Sequence, residues 1–235
     1  LTLLDAPAAV AALGVARIEI VHFHFPRTDL DYLAELRARL DAAGITPTTL
    51  LIDAGDLTAT DEATRARDLA HIRGWLDIAA TLGMRRARVV AGEALPSDAA
   101  AVARSVAGLA ELATHAEGRG LRLVTENWRQ LAMDPVTLVA ILDALGGRIG
   151  LCADFGNYRG ATKYDDLRRI LPRAETIHAK ADFPAPGQPA TADFARCLDL
   201  ARAAGFDSDY VLIFDGPGDE RASLREMAAL VRPYL

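Results

Sequence analysis

Cysteine is almost missing from this 235-residue chain. The two present are Cys152, inside an apolar run, and Cys197, in a helix-like segment. That pair excludes a disulfide framework and a thiolate metal site, and it suits a reducing cytoplasm. Basic excess is missing too: 26 Lys and Arg against 32 Asp and Glu leave a net charge of -6, with no Lys/Arg cluster to interrupt it. Nucleic acid is therefore not an expected partner. The longest apolar stretch near the start, Ala6 to Ala16, lacks a basic leader and falls short of the roughly 20 residues that cross a bilayer, so no targeting or membrane segment is expected. Neither G-x-G-x-x-G nor G-x-x-x-x-G-K-[ST] follows any apolar run, which removes the usual phosphate-cradling reason for an open doubly wound sheet. No Pro/Ser linker or low-complexity run divides the chain, so residues 1–235 read as one domain.

What is present is an alternation. With 51% apolar and 25% charged residues the chain can bury a substantial core. Short β-branched or aliphatic runs alternate with Ala/Leu/Arg-rich segments of helical period, the pattern of parallel βαβ units. The expected strands are Ala16–Phe23, Ile45–Ile52, Arg86–Ala91, Leu121–Asn127, Arg148–Asp154, Ala174–Lys180 and Tyr210–Asp215. Gly44 and Gly83 mark helix ends, while Ser97 and Asp134-Pro135 mark helix starts. Seven strands and about seven helices predict an α/β (β/α)8 TIM barrel whose first strand is absent from this chain.

In such a barrel the chemistry gathers at the carboxyl ends of the strands. Four apolar strands end in a chemical group there: Glu126 in VTEN, Asp154 in CADFGN, His178 in IHAKAD and Asp215 in IFDGPG. They recur at about the length of one strand plus its helix, so they belong to four successive strands. Carboxylate oxygens with one imidazole suit a single hard or borderline divalent ion, Mg, Mn, Co or Zn. Pleat alternation turns Glu126, Asp154, His178 and Lys180 inward, with Gly150 and Cys152 beneath Asp154. His22 and His24 share a strand face with Ile18 and Ile20, which leaves His24 as a loop-level substrate contact. Arg129 and Arg159, just beyond two of the strand ends, are placed to bind an anionic substrate group. The loop Ala181–Ala190, with three prolines, reads as a lid or rim, or equally as a stiff connection.

The set ALGVARIEI, VTEN, CADFGN, IHAKAD and VLIFDGPGDE resembles the xylose-isomerase-like TIM-barrel superfamily of sugar isomerases, epimerases, dehydratases and zinc AP endonucleases. The resemblance implies one divalent ion held by a Glu, an Asp, a His and a second Glu on the last four strands, the two Glu residues forming an acid/base pair. By that resemblance Glu126, Asp154 and His178 are the first three ligands. Lys180 matches a basic residue two places after the histidine. Asn157 stands where the family frequently has a substrate- or metal-contacting His.

The last strand departs from the pattern. Anchoring on Gly218-Asp219 puts Ile213 in the position of the second Glu. Parity puts Ile213 and Asp215 on one inward face, about 6.6 Å apart, from which Asp215 reaches the ion directly or through water. Loss of the second Glu leaves one-base chemistry: β-elimination, or isomerisation with Glu126 shuttling a proton and Lys180 steadying an oxyanion or phosphate. The expected activity is that of a divalent-metal-dependent sugar or polyol isomerase, epimerase or dehydratase, its substrate phosphorylated or not. The rival is a metal-binding homologue that works as a sugar-binding or partner subunit. An AP endonuclease is disfavoured by five histidines and the acidic charge. A homodimer remains open.

Overall fold

The computed structural model describes all of residues 1–235. Its seven strands are β1 (Arg17–Val21), β2 (Thr46–Ile52), β3 (Arg86–Val89), β4 (Arg122–Glu126), β5 (Gly150–Asp154), β6 (Ala174–Lys180) and β7 (Asp209–Ile213). They lie side by side in chain order, every pair parallel, and form a nearly closed barrel. Each expected strand is present within a few residues of its expected bounds. The short helix α1 (Ala6–Ala11) precedes β1. The longer helices α2 (Leu30–Ala43), α3 (Glu62–Thr81), α4 (Ala99–Gly118), α6 (Pro135–Ala144), α7 (Lys163–Ile170), α8 (Thr191–Ala203) and α9 (Glu220–Val231) follow the strands in turn, with the single turn α5 (Arg129–Ala132) inserted after β4. No helix is long and apolar enough to cross a membrane.

The helix boundaries follow local chemistry. Gly44 and Gly83 take φ of 66° and 70°, a conformation that costs an L side chain energy, and the helices stop there. Asp134 accepts a hydrogen bond from the Thr137 N–H at 2.7 Å ahead of Pro135. The start of α4 differs from expectation: the cap is Asp98, which accepts from the Ala101 N–H at 3.0 Å, rather than its neighbour Ser97.

Leu50, Ile52, Val89, Leu123, Leu151 and Ile177 pack between sheet and helices and are fully or almost fully buried. At the amino-terminal floor of the barrel Arg122 grips Glu175, with Nε–Oε2 at 3.0 Å and Nη2–Oε1 at 2.5 Å. The Glu175 carboxylate lies against Gly150, where any side chain would collide with it. Between the two unpaired edges, β1 and β7, Arg17 forms an ion pair with Asp209. Arg85 and Arg86 reach the same carboxylate at 2.7 and 3.3 Å.

Candidate functional site

β4, β5 and β6 deliver Glu126, Asp154 and His178 to one buried point at their carboxyl ends. His178 Nδ1 lies 3.7 Å from Glu126 Oε1 and 3.7 Å from Asp154 Oδ2. The β4 and β5 ends are pinned to each other by Asn127, whose Nδ2 donates to the Asp154 carbonyl at 3.0 Å and whose Oδ1 accepts from the Asp154 N–H at 2.7 Å. The Gly156 and Asn157 N–H groups donate to Asp154 Oδ1 at 2.6 and 3.0 Å, leaving Oδ2 to face the histidine. Asn157 Nδ2 donates to Glu126 Oε1 at 2.9 Å. Asn157 is thus a fixture of the trio itself.

Three further charged groups enter the lumen that strand-end reasoning missed. Glu19 of β1 has Oε2 2.9 Å from His178 Nε2. Arg88 of β3 lies with Nε 2.9 Å from Glu126 Oε2 and Nη1 2.5 Å from Asp53 Oδ1, Asp53 being the residue that follows β2. These are charge contacts without hydrogen-bond alignment: Arg88 Nε and Nη1, Asp53 Oδ1 and Glu126 Oε2 are all buried and lack a well-aligned partner, as does Glu19 Oε1. The available signal was a charge inside a short strand with apolar residues on both sides of it, as Glu19 in RIEIV and Arg88 in RARV. Cys152 also points here. A ligand atom from each of Glu126, Cys152 and His178 lies within 4.8 Å of the others.

Electrostatics follow from that crowding. Burial alone would raise the Glu126 carboxyl, but the charges of Arg88 and His178 outweigh it and bring it down to about 2. Burial pushes the Cys152 thiol up to about 12, so it is uncharged at neutral pH. For His178 burial opposes the charge, and its neighbours Cys152, Glu126 and Asp154 override it, holding the imidazole well above its ordinary value. Since the thiol is neutral, the carboxylates do that holding.

The remaining sequence-selected residues lie apart from the trio. Asp215 falls beyond the end of β7, in the loop, where strand parity no longer steers a side chain. Its carboxylate is 57% exposed and forms an ion pair with Lys180. Ile213 stands opposite Lys180 in the ladder. The aliphatic stem of Lys180 lies over Gly156, where a Cβ would come within 2.8 Å of it. His24 is exposed in a single turn after β1, edge-on to Phe23. The inward group of that turn is His22, whose Nδ1 accepts from the Asp53 N–H at 3.2 Å. Arg129 pairs with Glu93 at 3.4 Å and stacks on Trp128 at 4.2 Å. It is also the one non-glycine residue with positive φ, 62°. Arg159 is exposed, 3.5 Å from Asp182.

These features define a parallel β/α barrel with a buried carboxylate–histidine centre at the carboxyl ends of its strands. The chain belongs to the xylose isomerase-like TIM barrel family, which it matches over residues 7–233. No curated protein matches it in sequence. Among solved structures it is similar to an L-ribulose 3-epimerase (TM-score 0.80, 18% identity, 99% of this chain and 88% of that one). A D-psicose 3-epimerase determined with D-fructose is similar at TM-score 0.75 and 18% identity, over 100% of this chain and 94% of that one. A xylose isomerase-like TIM barrel protein from Mycobacterium smegmatis, in complex with magnesium, gives TM-score 0.77 and 17% identity, over 98% and 87% of the two chains. At these identities the likeness is one of fold.

Proposed function

We propose that this protein is a divalent-metal-dependent isomerase or epimerase of a sugar or polyol, or a related dehydratase. The observation that carries the reading is the convergence of Glu126, Asp154 and His178. His178 Nδ1 lies 3.7 Å from each of the two carboxylates, less than twice a metal–ligand bond of roughly 2.1 Å, so an ion on that nitrogen is within reach of either. The lumen charge agrees. Glu19, Asp53, Glu126 and Asp154 face one guanidinium and the protonated imidazole, so two negative charges stay uncompensated, and three once the imidazole gives up its proton to a bound ion. Glu19 at His178 Nε2 gives the carboxylate–histidine pairing that orients a metal-ligating imidazole through Nδ1. Asp154 is preferred to the protonated thiol of Cys152 as the third donor, because a set of oxygens suits Mg, Mn, Co or Zn.

A divalent ion held there would polarise a substrate carbonyl and acidify the neighbouring C–H. The protein's own groups do the rest. Glu126 takes the proton from carbon at a carboxylate oxygen and returns it, or holds it while a β-hydroxyl departs. Lys180, at the mouth beside Asp215, donates from Nζ to the oxygen that gains charge, or binds a substrate phosphate. No carboxylate sits at the carboxyl end of β7, which closes on Ile213, so a single base serves. The same absence favours the second reading, a sugar-binding homologue without turnover.

The test is a manganese-replete screen of ketoses, aldoses, inososes and their phosphates for deuterium uptake from D2O, repeated with Glu126→Gln. Exchange in the wild type that the variant loses supports the enzyme. Sugar binding without exchange supports the second reading, and purified protein that takes up no divalent ion sinks the metal-dependent one.

A further inference from the structure

Arg88 is the buried cation for which the reading above has no use. It projects from β3 into the lumen and is 3% exposed. One nitrogen lies 2.9 Å from Glu126 Oε2 and another 2.5 Å from Asp53 Oδ1, while the Trp128 ring covers the guanidinium at 5.1 Å. The Glu126 carboxylate is therefore divided. Oε2 faces the guanidinium, and Oε1 takes the Asn157 amide at 2.9 Å and faces His178. A guanidinium does not lose its proton in a protein, so this charge stays beside the trio at any working pH. The carboxyl end of the last strand offers no carboxylate in compensation, because Ile213 stands there opposite Lys180.

We propose that Arg88 is a positioning residue that sets how strongly the centre holds a cation. It keeps Oε2 of Glu126, turns Oε1 toward His178 and Asp154, and through its fixed charge holds the affinity for a divalent ion low. The inference rests on reading Glu126, Asp154 and His178 as a cation site. Asp53 balances Arg88 on its far side and keeps the guanidinium in the lumen. Like charges a few ångströms apart in a poorly solvated interior repel strongly, so removing this one should tighten ion binding by at least about tenfold.

The experiment is titration of the full chain with Mn2+, followed by calorimetry and by the spin-resonance signal of the free ion. Arg88→Gln is expected to bind at least about tenfold tighter than wild type, and Arg88→Lys, which keeps the charge, to stay within about threefold. The double variant Arg88→Gln/Asp53→Asn strands neither partner of the pair and is expected to bind about threefold tighter or more. It decides the matter if the single variant does not fold. A merely structural Arg88 would give weaker binding on removal, so equal or weaker binding in both Gln variants overturns the proposal while leaving the metal reading intact. Binding by the variants but not by wild type supports the role of Arg88 and removes the metal-dependent reading for the natural chain. Silence in all of them overturns both.

Discussion

Glu126 meets Arg88, Asn157 and His178 at once, and this has a measurable consequence in acid. Its carboxyl sits at about 2 in the folded chain against an ordinary 4.5, so its contribution to stability is whole above about pH 4.5. As pH falls from there toward 2 the unfolded chain takes up the proton first, and the contribution is lost. Urea midpoints measured between about pH 5 and about pH 3 should decline more steeply for wild type than for Glu126→Gln. The two cysteines offer a second check. Burial pushes Cys152 and Cys197 each up to about 12, so neither should react with a thiol reagent near pH 8 until the chain is unfolded, whereupon both should. Glu126, Asp154 and His178 were legible in the sequence because each closes an apolar run. Glu19, Asp53 and Arg88 were not, because a charge inside or just past a strand reads equally as a solvent-facing position, and its partner lies on another strand.

At the scale of elements, the loops after β6 and β7 form one packed unit. Phe183 and Phe214 meet edge-to-face at 4.9 Å between centroids. Gly218, with φ of 114°, lies under Pro186 and Gly187, where a Cβ would come within 3.2 Å of both. A Cβ on Gly216 would approach that of Phe183 to 2.7 Å. Gly216→Ala should therefore separate the two loops, and chymotrypsin should cut after Phe214 several-fold faster than in wild type, on the order of what local opening allows, whereas Phe183 is shielded by the proline that follows it. Strand order and strand positions were readable from alternation and turn residues. Less legible were the terminal residues: Ser97 and Asp98 are both competent caps and only the backbone chooses between them. Asp215 was placed by a parity rule that lapses two residues earlier, where β7 ends.

For the molecule as a whole, seven strands leave one seam, and Asp209 carries the charges gathered there. Arg17 from the opposite edge and Arg85 and Arg86 from across the floor all converge on it. Asp209→Asn leaves three guanidinium groups with a neutral partner and should cost about 2 kcal/mol in urea unfolding, because two of the three arginines remain well solvated. The barrel was legible as a count of strands and helices; the ties across its lumen and floor join residues far apart in the chain, which no local pattern records.

That seam also bears on the order of events in time. Every ladder joins neighbouring strands, whereas Arg17 and Asp209 stand 192 positions apart. Their meeting requires the largest loop closure in the barrel, so it belongs late in folding, after the neighbouring ladders have formed. A contact made after the transition state governs escape from the native state and leaves entry untouched. Asp209→Asn should consequently raise the unfolding rate by most of its stability cost and leave the refolding rate at its wild-type value, which stopped-flow fluorescence of the two tryptophans can follow.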